Sequence, residues 1–267
     1  MRKTRPARGS VLFGPLIAPL VLALSAVAEP GQPAARLEQL QLLKLIPLKG
    51  TLHHVQGIAV ERDRLWVTSV DSKARKGYLH LFRLSSGELL KEVEVQEGER
   101  FHPGGISLDG PAIWVPVAEY RRGGKTTIQR RHKETLGLLG SFEVDDHIGC
   151  LAAGGQRLVG GNWDSRQIYY WNRKGKLLDK KENPAGTRYQ DMKMAGGTLI
   201  ASGVLSGDDG AIDWLDLRTL ELRKRITAGK TDWGVRYTNE GMAVGGGRLY
   251  LLPEDGPSRL FVFALPR

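Results

Sequence analysis

A short pattern recurs five times along this chain, at intervals in the forties or just above, and it limits the fold more than any other feature. It reads His53-His54-Val55-Gln56-Gly57-Ile58, then Phe101-His102-Pro103-Gly104-Gly105-Ile106, then Asp146-His147-Ile148-Gly149-Cys150. The last two copies are Tyr189-Gln190-Asp191-Met192 and Thr238-Asn239-Glu240-Gly241-Met242. Each joins a polar or aromatic cluster to a turn residue and a short apolar run. That period belongs to the blade of a β-propeller, a four-stranded unit that buries its faces only by stacking in a ring.

Strand-like runs fill the intervals. The first blade is predicted from Val55–Val60, Arg64–Val70, Tyr78–Leu84 and Leu89–Val95, and the next three repeat that order. Tight turns such as Asp109-Gly110, Gly154-Gly155 and Gly196-Gly197 join first to second strands, as hairpin chemistry requires. The last blade has only Gly241–Val244, Arg248–Pro253 and Arg259–Leu265. Its missing strand is supplied by Leu40–Pro47, predicted to pair with Arg259–Leu265, because an open ring would leave unpaired edges. The expectation is an all-β, single-domain, five-bladed β-propeller over residues 40–267.

The start of the chain reads as a targeting signal. Arg2, Lys3, Arg5 and Arg8 precede an apolar run from Val11 to Ala28, and Ala26-Val27-Ala28 fits a small-residue cleavage site. Residues 1–28 are expected to be removed and the mature chain to be periplasmic or secreted. A retained anchor is the alternative that the length of the run leaves open. Residues 29–39 read as a flexible lead. The four signal charges leave +6 of the formal +10 on the mature chain, spread along it. Nucleic acid is excluded as a partner for an exported chain, membrane insertion is not expected after cleavage, and a monomer is expected. Cys150 is the only cysteine, so there is no intramolecular disulfide; in its apolar run it reads as a buried thiol.

Propeller topology turns positions into places. First-strand entries and second-strand exits share one face, where first strands converge on the axis. That face collects His54, Gln56, His102, His147, Asp191 and Glu240 from the entries. Glu119, Asn162, Trp163 and Glu254 come from the exits, and Gln190, Asn239, Asp164, Tyr120, Tyr189, Trp233 and Tyr237 from the same segments and loops. A concave polar site with aromatic walls is the expected binding site. Imidazoles beside Glu119, Asp191 or Glu240 suit either a divalent metal or proton transfer, and spacing alone does not separate these from hydrogen-bonded fillers. Trp66, Trp114, Trp171 and Trp214 fall inside strands and read as inter-blade core. No Gly-x-Ser-x-Gly or His-Glu-x-x-His is present.

Two resemblances add to this. Arg64-Leu-Trp-Val-Thr-Ser-Val-Asp71 and Leu252-Pro-Glu-Asp-Gly-Pro-Ser258 resemble exported bacterial propeller proteins of a family with no assigned function. The blade rhythm is more distantly similar to the five-bladed glutamine cyclotransferases, which close N-terminal glutamine into pyroglutamate. Val55-Gln56-Gly57-Ile58 keeps the glutamine of their first-strand motif, but Gly104 stands where those enzymes carry an acidic, proton-shuttling residue. Glu240-Gly241 with Glu254-Asp255-Gly256 also resembles phytase-like and esterase-like propellers, which implies calcium. The expected function is binding of a small polar or peptide ligand at the channel mouth. The alternative is a hydrolase or acyl transferase using His and Glu there, with or without a divalent metal.

Overall fold

The computed structural model describes residues 35–265 and Met1; the signal and most of the lead lie outside the described residues. Five sheets, antiparallel through their four blade strands, follow one another as blades. Blade 1 runs from its innermost strand His54–Glu61 through Arg64–Asp71 and Lys76–Arg83 to Glu88–Glu94. Innermost strands of the other complete blades are Arg100–Pro103 with Ser107–Asp109, Ile148–Gly154 and Arg188–Ala195. In blade 5, Glu240–Gly245, Arg248–Pro253 and Arg259–Ala264 are completed by Leu42–Pro47, antiparallel in the register Leu42↔Phe263 to Pro47↔Arg259. The ring is therefore closed by the N-terminal strand, as its apolar sequence and the missing fourth strand require.

Order begins earlier than the lead suggests. Ala35–Arg36 pairs in parallel with Leu222–Ala228, making blade 4 five-stranded. Leu37, in the turn that follows, is fully buried between blades 4 and 5. The segment thus spans two blades before closing the ring.

Five apolar clusters occupy the five inter-blade interfaces. Trp66 lies between blades 1 and 2 and Trp114 and Trp171 between blades 2 and 3, all buried; Trp214 packs partly buried on the blade 4–5 cluster. Around the axis the packing is backbone against backbone. A Cβ on Gly57 would fall 2.4 Å from the Gly105 Cα, and one on Gly104 2.0 Å from the Gly149 carbonyl oxygen. This crowding explains the recurring small residue and a departure from the predicted ladder. The inner strand of blade 2 breaks between Pro103 and Ser107, where Gly105 bonds sideways to blade 3: its N–H donates to Gly149 (2.9 Å) and its carbonyl accepts from Leu151 (3.0 Å). Among the described residues no helix is long and apolar enough to cross a membrane.

Candidate functional site

The strand entries converge on a cavity of about 310 Å³. His54, His102, His147 and Glu240, from four different blades, all line it, together with Gln56, Asn162 and Trp163. Residues far apart in sequence meet because each blade presents the same strand end to the axis. The wall divides into sectors by blade.

Blades 2 and 3 supply an aromatic sector. The His102 ring stacks on Tyr120 at 4.2 Å and 12°, and Trp163 lies nearly parallel to both at 6.4 and 5.8 Å. His147 meets Trp163 edge-on at 4.4 Å. Its Nδ1–H donates to the Glu119 carbonyl oxygen at 2.7 Å, which in the neutral ring leaves Nε2 an acceptor. Burial pushes both imidazoles down, and the proximity of the His147 and His54 imidazoles, whose protonation would disfavour a further charge, helps hold His102 well below the ordinary histidine value. Both are therefore neutral rings, suited to stacking and to accepting hydrogen bonds. Trp163 is aimed by its turn: Asp164 and Ser165 both adopt positive φ, at 63° and 51°, and Arg122 sits over the indole, 5.5 Å from its centroid.

Blades 5 and 1 supply an acidic sector. His54 Nδ1 is hydrogen-bonded to the Glu254 carboxylate, and the ligand atoms of His54, Glu240 and Glu254 lie within 4.8 Å of one another. Burial alone would lower His54, but the Glu254 hydrogen bond and the charges of Glu240 and Glu254 together hold it above its usual value. Burial pushes the Glu240 carboxyl up to about 8; His54 draws it down, and the Glu254 and Asp191 charges push it further up.

The remaining sequence-predicted residues hold the frame. Asp191 is fully buried at the axis, and its carboxylate accepts from the N–H groups of Ile58 (2.9 Å), Met242 (3.1 Å) and Met192 (2.8 Å) and from Lys193. Those donors tie blades 1, 4 and 5 together. The Glu119 side chain pairs with Arg121 outside the cavity, and only its carbonyl serves the site, through His147. Asn162 lines the cavity, but its amide already bonds Asp146 (3.0 Å) and the Gln167 N–H (2.9 Å). Glu254 reaches the site through His54. Trp233 is stacked under Arg259 and is not part of the cavity wall.

Sequence reasoning passed over Arg188 and Arg236, which bring positive charge to the wall from blade 4 and the loop before blade 5. Arg236 is held by Asp208, whereas Arg188 makes no ion pair among the described residues. Both flank the recurring pattern, Arg188 immediately before Tyr189, so its flanks carried the signal.

This arrangement defines the class: a five-bladed β-propeller with an axial cavity whose wall mixes aromatic, acidic and basic sectors. A family model, the family of unknown function DUF6454, matches residues 34–196, and the chain belongs to that family. Comparison with curated proteins finds no match. Among solved structures, Myxococcus xanthus glutaminyl cyclase is similar at 15% identity and a TM-score of 0.64, covering 85% of this chain and 97% of that one. BamB from Moraxella catarrhalis is similar at 14% identity and a TM-score of 0.43, over 82% of this chain and 61% of that one. The Neurospora crassa Pan2 WD40 domain is similar at 12% and 0.45, over 87% and 75%. At these identities the cyclase likeness shows the fold alone.

Proposed function

We propose that this chain is an exported binding propeller that takes a small polar or peptide ligand into its axial cavity. The observation that carries the reading is the pairing of the His102–Tyr120–Trp163–His147 wall with Arg188, which makes no ion pair among the described residues, in one cavity. A volume of about 310 Å³ sits at the small end of ligand pockets, which suits a metabolite or the end of a peptide. A planar or apolar group stacks on the aromatic sector, and a carboxylate or carbonyl faces Arg188. A side chain at position 104 would drive its Cβ to 2.0 Å from the Gly149 carbonyl oxygen, so the carboxylate of the cyclotransferase resemblance has no place there.

Calorimetric titration of amino acids, dipeptides and small carboxylates into the purified mature chain tests this reading. A binder whose affinity falls by roughly tenfold or more in both Trp163→Ala and Arg188→Ala supports it, each step of about 1.4 kcal/mol being one decade. A binder indifferent to both variants, or steady turnover of an N-terminal glutamine peptide, overturns it. Export is tested by fractionation: the mature chain should begin at Glu29 outside the cytoplasm.

A further inference from the structure

Glu240 is placed as few carboxyls are. It is 5% exposed, lines the cavity, and no hydrogen bond from a described residue reaches its carboxylate. A buried carboxyl without donors is costly unless something outside the chain compensates it. Close by, His54 offers an imidazole nitrogen and Glu254 a carboxylate oxygen. A second unpartnered group lines the same cavity from its aromatic sector. His102, 8% exposed and lining the same cavity, has a buried ring nitrogen with no partner. The cavity wall thus presents a carboxylate and an imidazole nitrogen that no described residue partners.

We propose that His54, Glu240 and Glu254 bind one first-row divalent metal ion, Zn²⁺ or Mn²⁺, at the edge of the axial cavity. The donor set decides the class. One imidazole with two carboxylates suits Zn²⁺ or Mn²⁺, whereas Ca²⁺ and Mg²⁺ favour oxygen donors alone. Bonds of about 2.0–2.2 Å at tetrahedral angles set donor atoms roughly 3.3–3.6 Å apart. The three ligand atoms all lie within 4.8 Å of one another, so the adjustment asked of the side chains is small. Glu254 is half-exposed and supplies the freedom, exchanging its hydrogen bond to His54 for the metal. Glu240, fixed at the start of the inner strand of blade 5, supplies the rigid ligand. Three protein ligands leave the remaining coordination positions open to the cavity, the arrangement of a metal that meets a ligand rather than a purely structural one.

The site stands apart from the ligand proposed above, because metal binding is read with the metal alone. Zn²⁺, Mn²⁺, Co²⁺, Ca²⁺ and Mg²⁺ are titrated separately into metal-stripped mature protein. Calorimetry gives stoichiometry, and visible absorption reports the Co²⁺ environment. One equivalent of Zn²⁺ or Mn²⁺ is expected, with Co²⁺ giving an absorption band that Zn²⁺ abolishes. His54→Ala, Glu240→Gln and Glu254→Gln should each weaken binding by more than roughly tenfold. Glu92→Gln, on the outer strand of blade 1, should leave it unchanged. Glu254→Gln keeps the test sound, since a half-exposed side chain can be exchanged without unfolding the blade; unchanged circular dichroism checks this. Wild-type binding retained in Glu240→Gln and Glu254→Gln overturns the proposal. So does no stoichiometric binding of Zn²⁺ or Mn²⁺.

Discussion

Replacing Asp191 by alanine should come close to unfolding the ring while leaving every cavity-lining side chain in place. The carboxylate is fully buried and joins three blades. Its loss strands the Ile58 and Met242 N–H groups, at about 1–3 kcal/mol each for a buried donor without an acceptor. It also strands the Lys193 ammonium, whose side chain is 11% exposed. Breaking a buried ion pair from one side costs about 3–5 kcal/mol. Burial pushes the Asp191 carboxyl up and the Lys193 ammonium down, and their contact holds each back, so neither is comfortable alone. Together these give a loss of at least about 5 kcal/mol, the low end of what a domain has to lose. Urea unfolding followed by tryptophan fluorescence measures it. Lys193→Met alone leaves the carboxylate with its backbone donors and should cost less. The double variant Asp191→Asn with Lys193→Met should be more stable than the sum of its singles by about 2 kcal/mol, the signature of a coupled pair. Asp191→Ala within about 1 kcal/mol of wild type, with an unchanged urea slope, would refute the reasoning, since surface changes fall in that range.

Three further outcomes follow from the packing. Gly104→Ala, with a Cβ 2.0 Å from a carbonyl oxygen, should lower the melting temperature at a cost of about 1–3 kcal/mol or more, as overpacked sites do. A chain beginning at Leu48 loses the buried Leu37 and Ile46, at about 1.5–3 kcal/mol per side chain, and bares the edge of Arg259–Ala264. It should lose cooperative unfolding, and unchanged melting would disprove closure by the N-terminal strand. His80 is a buried imidazole: Nε2 bonds Ser69 at 2.8 Å, while Nδ1 lies 2.9 Å from Glu92 but off the hydrogen-bond direction. Burial lowers it to about 4, the His53 charge adding to this. Because the folded value is depressed, its contribution is complete above about pH 6.5 and is lost as pH falls toward 4. At about 1.36 kcal/mol per unit that is roughly 3 kcal/mol, and His80→Gln should flatten the stability profile across that window.

The blade period, the strand runs and the incomplete last blade were legible in the sequence, because strand alternation and turn chemistry are local. From them the ring, its closing strand and the mouth where His54, His102, His147 and Glu240 meet could all be worked out. The pattern could not assign roles within that mouth. Asp191 and Glu240 both open inner strands, yet one is spent on the frame and the other faces the cavity unpartnered. What separates them is who arrives from elsewhere. Asp191 receives a backbone donor 133 residues away, and Glu240 faces His54, which is itself bonded to Glu254 200 residues on. Burial, pairing and the electrostatic partners of a carboxyl are set by neighbours that only ring closure brings together. The sequence alone therefore determined the architecture and the face where polar side chains gather, and the tertiary structure decided which of them hold the ring and which line the cavity without a partner among the described residues.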